Sequence, residues 1–239
     1  MKEAIKNAKS QLRKYGLEYP KGKRCTQILF SNSTYRPELD QTQECNAEHT
    51  NLYQNLIGVL RWICELGRID ILYKVSVLSQ YLSSPRTGHI MEVASIFLYL
   101  EYHDRSWMVL DPTQFDIKWM PRGNEESPEA RAKILKNIYY NANDPDPPGK
   151  PAPYGQAVQI NAGNSVTRRS HTGIIIYQNL APIIWFSKKQ NNVESSTFGA
   201  ELIAAKTALE IVEGLFYKLR MLGVPLERHA RFFVITKRS

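Results

Sequence analysis

The sequence predicts an α+β protein in which a helical N-terminal part precedes a smaller mixed α/β part. Three observations lead there. Between residues 51 and 100, apolar residues recur at helical spacing in three successive stretches. Residues 141–153 then hold five prolines in thirteen positions, too many for a helix interior or a central strand. Beyond them the hydrophobic period shifts from 3.6 to 2 or to short apolar runs. The expected organisation is therefore a helical region at 1–140, a proline-rich linker at 141–155 and a mixed α/β domain at 156–239.

Taken in order, residues 1–15 have helical character, and Pro20, Gly22, Asn32, Ser33, Pro37 and Asp40 mark an irregular connection up to about Asn51. Leu56, Ile57, Leu60, Ile63 and Cys64 paint one face of a helix that Gly67 ends. Asp70 is the expected N-cap of a second helix, with Ile71, Leu72, Val75, Leu78 and Leu82 on its apolar face. Ser83-Ser84-Pro85 stops that helix and supplies the cap and first-turn proline of a third. The third buries His89, Val93, Ile96, Phe97 and Leu100, and three such helices with short turns pack as a small bundle. Trp107 to Leu110 and Phe115 to Met120 read as strands, and Pro128 to Tyr140 as a charged helix. After the linker, Gln156 to Asn161, Thr172 to Gln178 and Ala181 to Ser187 read as strands, the last two joined at Asn179-Leu180 as a hairpin. A helix from Thr197 to Leu222 carries Leu202, Ala205, Leu209, Val212, Phe216 and Leu219 at alternating spacings of three and four. Gly223 and Pro225 end it, and Phe232 to Ile235 is a last strand.

The 239 residues, 43% of them hydrophobic, suit one large or two small globular domains and argue against a disordered chain, a collagen or a membrane protein. No apolar run reaches the roughly 18 residues of a spanning helix, and the charged start MKEAIKNAKS lacks the apolar core of a signal peptide, so an intracellular protein with no membrane partner is expected. The net charge of +8 sits at the ends: residues 1–24 hold 8 basic and 2 acidic side chains, and residues 218–239 hold 6 and 1. Basic ends fit a polyanion partner, and equally a solvated tail. Cys25, Cys45 and Cys64 have neither the spacing nor the paired histidines of a zinc site or disulfide framework.

Six blocks of residues, in two groups of three, resemble copia-type retrotransposon Pol polyproteins. Tyr53 to Trp62 (YQNLIGVLRW), Arg68 to Ile71 (RIDI) and Val75 to Tyr81 (VSVLSQY) are similar to the stretch that follows the reverse transcriptase palm. Arg168 to Gly173 (RRSHTG), Ile184 to Gln190 (IWFSKKQ) and Ser195 to Glu201 (SSTFGAE) resemble the RNase H segment. The blocks come in the family's order. The resemblance implies a thumb- or connection-like helical region followed by an incomplete RNase H-like domain, cut from a longer enzyme at both ends and internally.

It also implies a chemistry whose residues can be checked one by one. Polymerisation needs palm carboxylates, including an Asp-Asp pair that bridges two metal ions, and no such pair occurs in the chain. RNase H chemistry needs two divalent ions, magnesium in this family, about 4 Å apart and held by carboxylates from the first strand, the first helix, the fourth strand and one later position. Glu201 matches the helix carboxylate. Gln159-Ile160-Asn161-Ala162 passes directly to Gly163-Asn164-Ser165 where an aspartate is expected, and Arg231 to Thr236 carries no acid where the fourth strand ends in one. The expectation is a catalytically inactive remnant, with Glu201 as the sole metal-binding and catalytic residue left and no cofactor as the chain stands. The alternative for Glu201 is an ordinary solvated glutamate in the first turn of its helix.

What survives is nucleic-acid binding, weak and non-specific, to an RNA/DNA hybrid or duplex. Arg168, Arg169, Lys188 and Lys189 are placed to meet phosphates beside Trp185 and Phe186, or else form a basic sheet edge. Lys2, Lys6, Lys9 and Lys14 form either a phosphate-facing stripe or a solvated face. Ser170 and His171, as strand neighbours, point to opposite faces and cannot act as nucleophile and base, and His89 reads as a packed histidine. Two other functions stay open: an active RNase H that recruits Glu194, Glu210 or Glu213, and a repurposed interaction module.

Overall fold

The computed structural model describes residues 1–17, 35–106, 108–113, 152–161, 169–194, 196–224 and 226–235, with 152–161 and 226–235 described by their backbone. The protein is α+β. Its helices are α1 (Lys2–Lys14), α2 (Ala47–Glu65), α3 (Leu72–Leu78), α4 (Thr87–Tyr102) and α5 (Thr197–Met221), with 3-10 turns at Pro37–Leu39, Ile69–Ile71 and Ser79–Tyr81. Strands β1 (Ala152–Asn161), β2 (His171–Gln178), β3 (Ala181–Lys189) and β4 (Leu226–Ile235) form one sheet in the order β3-β2-β1-β4. Among the described residues, no helix is long and apolar enough to cross a membrane.

The chain divides into two compact units, each assembled from separated segments. The first comprises Met1–Val109, Ile160–Gly173 and Trp185–Ala200; the second comprises Leu110–Gln159, Ile174–Ile184 and Glu201–Ser239. The core of the first unit is helical. Ile5, Ala8 and Leu12 of α1 join Leu52, Tyr53, Leu56, Ile57, Leu60 and Ile63 of α2, and both pack with Ile90, Val93, Ile96, Phe97 and Leu100 of α4. Helix α4 buries residues on most of its circumference, as expected of the central rod of a bundle. The ends of β2 and β3 pack into the same unit. Trp185 Nε1 donates to the Cys64 carbonyl at 3.0 Å, Ser76 Oγ donates to the Ser187 carbonyl at 2.8 Å, and the His171 ring meets Tyr73 edge to face.

Several boundaries differ from the sequence expectation, each for a local reason. Helix α2 starts at Ala47, because the Asn46 side chain accepts from the His49 amide at 2.8 Å and caps it. Asp70 caps nothing: its carboxylate takes Arg68 Nε and Nη2 at 2.9 and 2.7 Å, while Arg68 Nη1 donates to the His103 carbonyl. Helix α4 begins after Arg86, not at Ser84-Pro85. Its free amides are met by a strap from the preceding connection, with Thr87 N donating to the Gln43 carbonyl and Gly88 N to Thr42 Oγ1, and the Arg86 amide donates to His89 Nδ1. Met108 to Leu110 form no strand, and Val109 and Leu110 are exposed. The readings at Phe115 to Met120, Pro128 to Tyr140 and residues 141–151 lie outside the described residues.

Strand β1 extends back to Ala152, inside the expected linker. Its pairing with β4 is irregular between Ala152 and Tyr154, where Pro153 has no amide to donate. The two strands run parallel, with Gln156 opposite Phe232 and Gln159 opposite Ile235. A parallel pair needs a crossover, which the chain supplies through β2, β3 and α5. The β2–β3 hairpin turns at Asn179, with φ 58°, a backbone conformation that asparagine tolerates.

Helix α5 also corrects the expected face. Its buried positions are Ala200, Ala204, Ala208 and Val212, spaced by four, whereas Leu202 and Leu209 are 59% and 42% exposed. Small side chains permit close approach of the helix backbone, so the fully buried stripe runs along the alanines to Val212, an expected position, while Phe216 and Leu219 are half-buried and Leu202 and Leu209 point away.

Candidate nucleic-acid interface

Glu201 lies on the fifth residue of α5, in its second turn. The first turn carries no acid, which removes the expected dipole role. The cap is Ser196, whose Oγ accepts from the Gly199 amide at 3.0 Å. Glu201 is half-buried, and among the described residues it has neither a hydrogen-bond nor an ion-pair partner. Strands β1 and β4, side by side and parallel, add no carboxylate near their C-terminal ends. The only acid in either is Glu227, beside the Ala152–Leu226 pair at the opposite end of the Gln159–Ile235 pair. At about 3.3 Å per residue that separation exceeds 20 Å. Glu210 and Glu213 are exposed, and Glu210 reaches Lys206 one turn away at 3.7 Å. Among the described residues no group of three or more His, Cys, Asp or Glu side chains could hold a metal. One half-buried carboxylate does not fit a magnesium pair, which needs several oxygen ligands.

The basic residues of the hairpin do converge in part. Arg168 lies outside the described residues. Arg169 and Lys188 are exposed and Lys189 is half-buried. Burial, with the neighbouring Arg169 guanidinium, lowers the Lys189 ammonium from its ordinary value, and Glu38 offsets this in part. Burial, with the Lys189 charge added, pushes the His171 imidazole down to about 4, so it is neutral near pH 7. Two like charges held together in this way gain from an anion placed between them. Trp185 is half-buried, and its ring nitrogen is engaged by the Cys64 carbonyl.

On α1 the cationic stripe is real, but its members differ from those expected. Lys2, Lys6, Lys9 and Arg13, at i, i+4, i+7 and i+11, line a shallow groove of about 280 Å³ with Leu100, Glu101 and Asp104. Lys14 falls off this face and stands over the Tyr15 ring at 5.8 Å. Lys2 pairs with Asp104 at 2.9 Å and Lys9 with Glu101, whereas Lys6 is exposed with no ion-pair partner among the described residues. The Lys2 ammonium holds the Asp104 carboxyl below the usual range.

Two buried polar clusters escaped the sequence reading. Lys74 Nζ sits 2.9 Å from both Glu92 Oε2 and Ser95 Oγ, with both charged side chains nearly enclosed. Their spacing was the available clue: Lys74 lies three residues after Ile71 and four before Leu78, and Glu92 three after His89 and four before Ile96. Asp40 accepts from Tyr35 OH at 2.5 Å and from the Thr42 amide at 2.7 Å. Burial pushes its carboxyl up, but these hydrogen bonds outweigh that and hold it below its ordinary value. His89 is packed as expected. Its Nδ1 accepts from Arg86, its Nε2 lies 3.0 Å from the Pro37 carbonyl, and its ring stacks on Tyr81. Cys64 is buried and its thiol pushed up to about 12, the behaviour of a packing residue.

The chain is similar to a curated protein of Saccharomyces cerevisiae described as a Ty5-1 transposon protein, at 27% identity over 188 residues. The match takes in 78% of this chain and 49% of that protein, so the chain spans about half the length of the curated relative it matches. This similarity supports a retrotransposon-related sequence. No protein-family model matches the chain. No solved structure matches it either.

Proposed function

We propose that the chain is a degenerate segment of a copia-type retrotransposon Pol polyprotein, a post-palm helical region followed by part of an RNase H-like domain, which binds nucleic acid without cutting it. The similarity to the Ty5-1 transposon protein across 78% of the chain carries the reading. The parallel neighbours β1 and β4 support its RNase H part, because the family's carboxylates on the first and fourth strands require those two strands to lie close.

Catalytic inactivity follows from the donors. Two-metal hydrolysis requires both ions to be clamped at once, and one surviving carboxylate, Glu201, supplies a fraction of one coordination shell. Magnesium is the family's ion, and among the described residues no group of acids gathers to hold it. The residual property is attraction for phosphates at Arg169, Lys188 and Lys189 and along Lys6 and Lys9, a sequence-independent interaction that weakens steeply with salt. Incubating the purified chain with an RNA/DNA hybrid and magnesium tests both halves of the proposal. Salt-sensitive binding with an intact RNA strand supports it, and cleavage dependent on Glu201 contradicts it.

A further inference from the structure

We propose that Glu101 and Asp104 act as an electrostatic gate on the cationic face of α1, occupying Lys2 and Lys9 until a phosphodiester strand displaces them. The inference rests on the nucleic-acid reading above and deepens it at a place outside the blocks that carry the family resemblance.

The apolar side of α1 is already spent. Ile5, Ala8 and Leu12 are buried in the helical core, so the helix cannot lay that side into a lipid surface and presents only its charged side. On that side Lys2, Lys6, Lys9 and Arg13 fall within a narrow arc and extend about 16 Å along the axis, in steps of about 4.5 to 6 Å. A row of cations at such intervals matches a strand of phosphates better than a single small anion.

The two acids have no local reason for their positions. Glu101 is in the last turn of α4 and Asp104 lies just beyond its end, where the helix dipole disfavours negative charge. Their partners are the cations across the groove: Asp104 takes Lys2 at 2.9 Å and Glu101 takes Lys9, leaving Lys6 uncommitted among the described residues. Both pairs are solvent-accessible and individually weak, as a displaceable contact requires. An arriving strand first meets Lys6, then exchanges its phosphates for the two carboxylates. Only a polyanion long enough to engage several positions recovers the cost, so the gate favours strands over mononucleotides.

The test uses the full chain and a labelled 20-nucleotide single-stranded RNA, followed by fluorescence anisotropy at 50 and 300 mM salt. Glu101→Gln/Asp104→Asn is expected to bind about fivefold tighter than the parent at 50 mM, with the gap closing at 300 mM. Glu101→Gln alone, which keeps the Lys2–Asp104 pair, gives about half that gain on a logarithmic scale, and Lys6→Gln weakens binding in either background. Equal or weaker binding by a folded double variant, judged by circular dichroism, overturns the gate while leaving nucleic-acid binding intact. Binding by neither protein overturns the gate, and titration with the RNA/DNA hybrid then decides the nucleic-acid reading separately; capture by phosphatidylserine vesicles without RNA binding assigns the face to a membrane surface and also overturns the proposal.

Discussion

Gly88 shows how a single atom can be excluded at the start of α4. A Cβ built there stands 2.0 Å from Asp40 Oδ2 and 2.9 Å from its Cγ, and that carboxylate is fixed by Tyr35 and by the Thr42 amide. Gly88→Ala must therefore displace a buried, hydrogen-bonded acid, and denaturant titration should show a loss of about 2–4 kcal/mol. His171 carries the main pH prediction. Its folded value of about 4 lies below the unfolded value near 6.5, so the unfolded chain takes up a proton first on acidification. Stability is complete above pH 6.5 and falls towards pH 4, by at most about 3 kcal/mol at roughly 1.4 kcal/mol per unit. Thermal melts of the parent should show this acid limb, and His171→Gln should flatten it. Neither site was legible in the sequence. His171 was read only as one of two strand neighbours, and the closeness of Asp40 to Gly88 arises from packing between residues 48 positions apart.

At the scale of elements, periodicity located α2, α4, the hairpin and α5 well, because burial on one face writes its period into the residues. It failed where tertiary partners replaced local ones. The cap of α4 comes from Thr42 and Gln43 of a strap, which no spacing near Pro85 reveals. Helix α5 failed in part: Val212 of the expected face is buried, but Leu202 and Leu209 are exposed and Ala200, Ala204 and Ala208 are buried in their place. A paired substitution separates the two faces. Ala208→Leu should cost about 1–3 kcal/mol through overpacking, whereas Leu202→Gln should stay within about 0.5 kcal/mol of the parent, both read from chemical denaturation midpoints. The opposite order would return the buried stripe to the leucines.

For the whole molecule, motif order outperformed composition. The net charge of +8 suggested a polyanion partner only loosely, and the structure divides that charge unequally in use. Lys2 and Lys9 are held by acids, Lys14 falls outside the α1 groove, and Arg169 lies close enough to help lower the Lys189 ammonium. The absence of acids from β1 and from the C-terminal end of β4 can be read directly from the residues. The adjacency of those strands required the fold. The central claim, nucleic-acid binding without hydrolysis, is tested most directly by titrating the full chain with a labelled RNA/DNA hybrid in magnesium while following the RNA strand on a denaturing gel. The account predicts salt-sensitive binding, an intact RNA strand, and no change in either for Glu201→Ala. Cleavage by the parent chain that disappears in Glu201→Ala contradicts it.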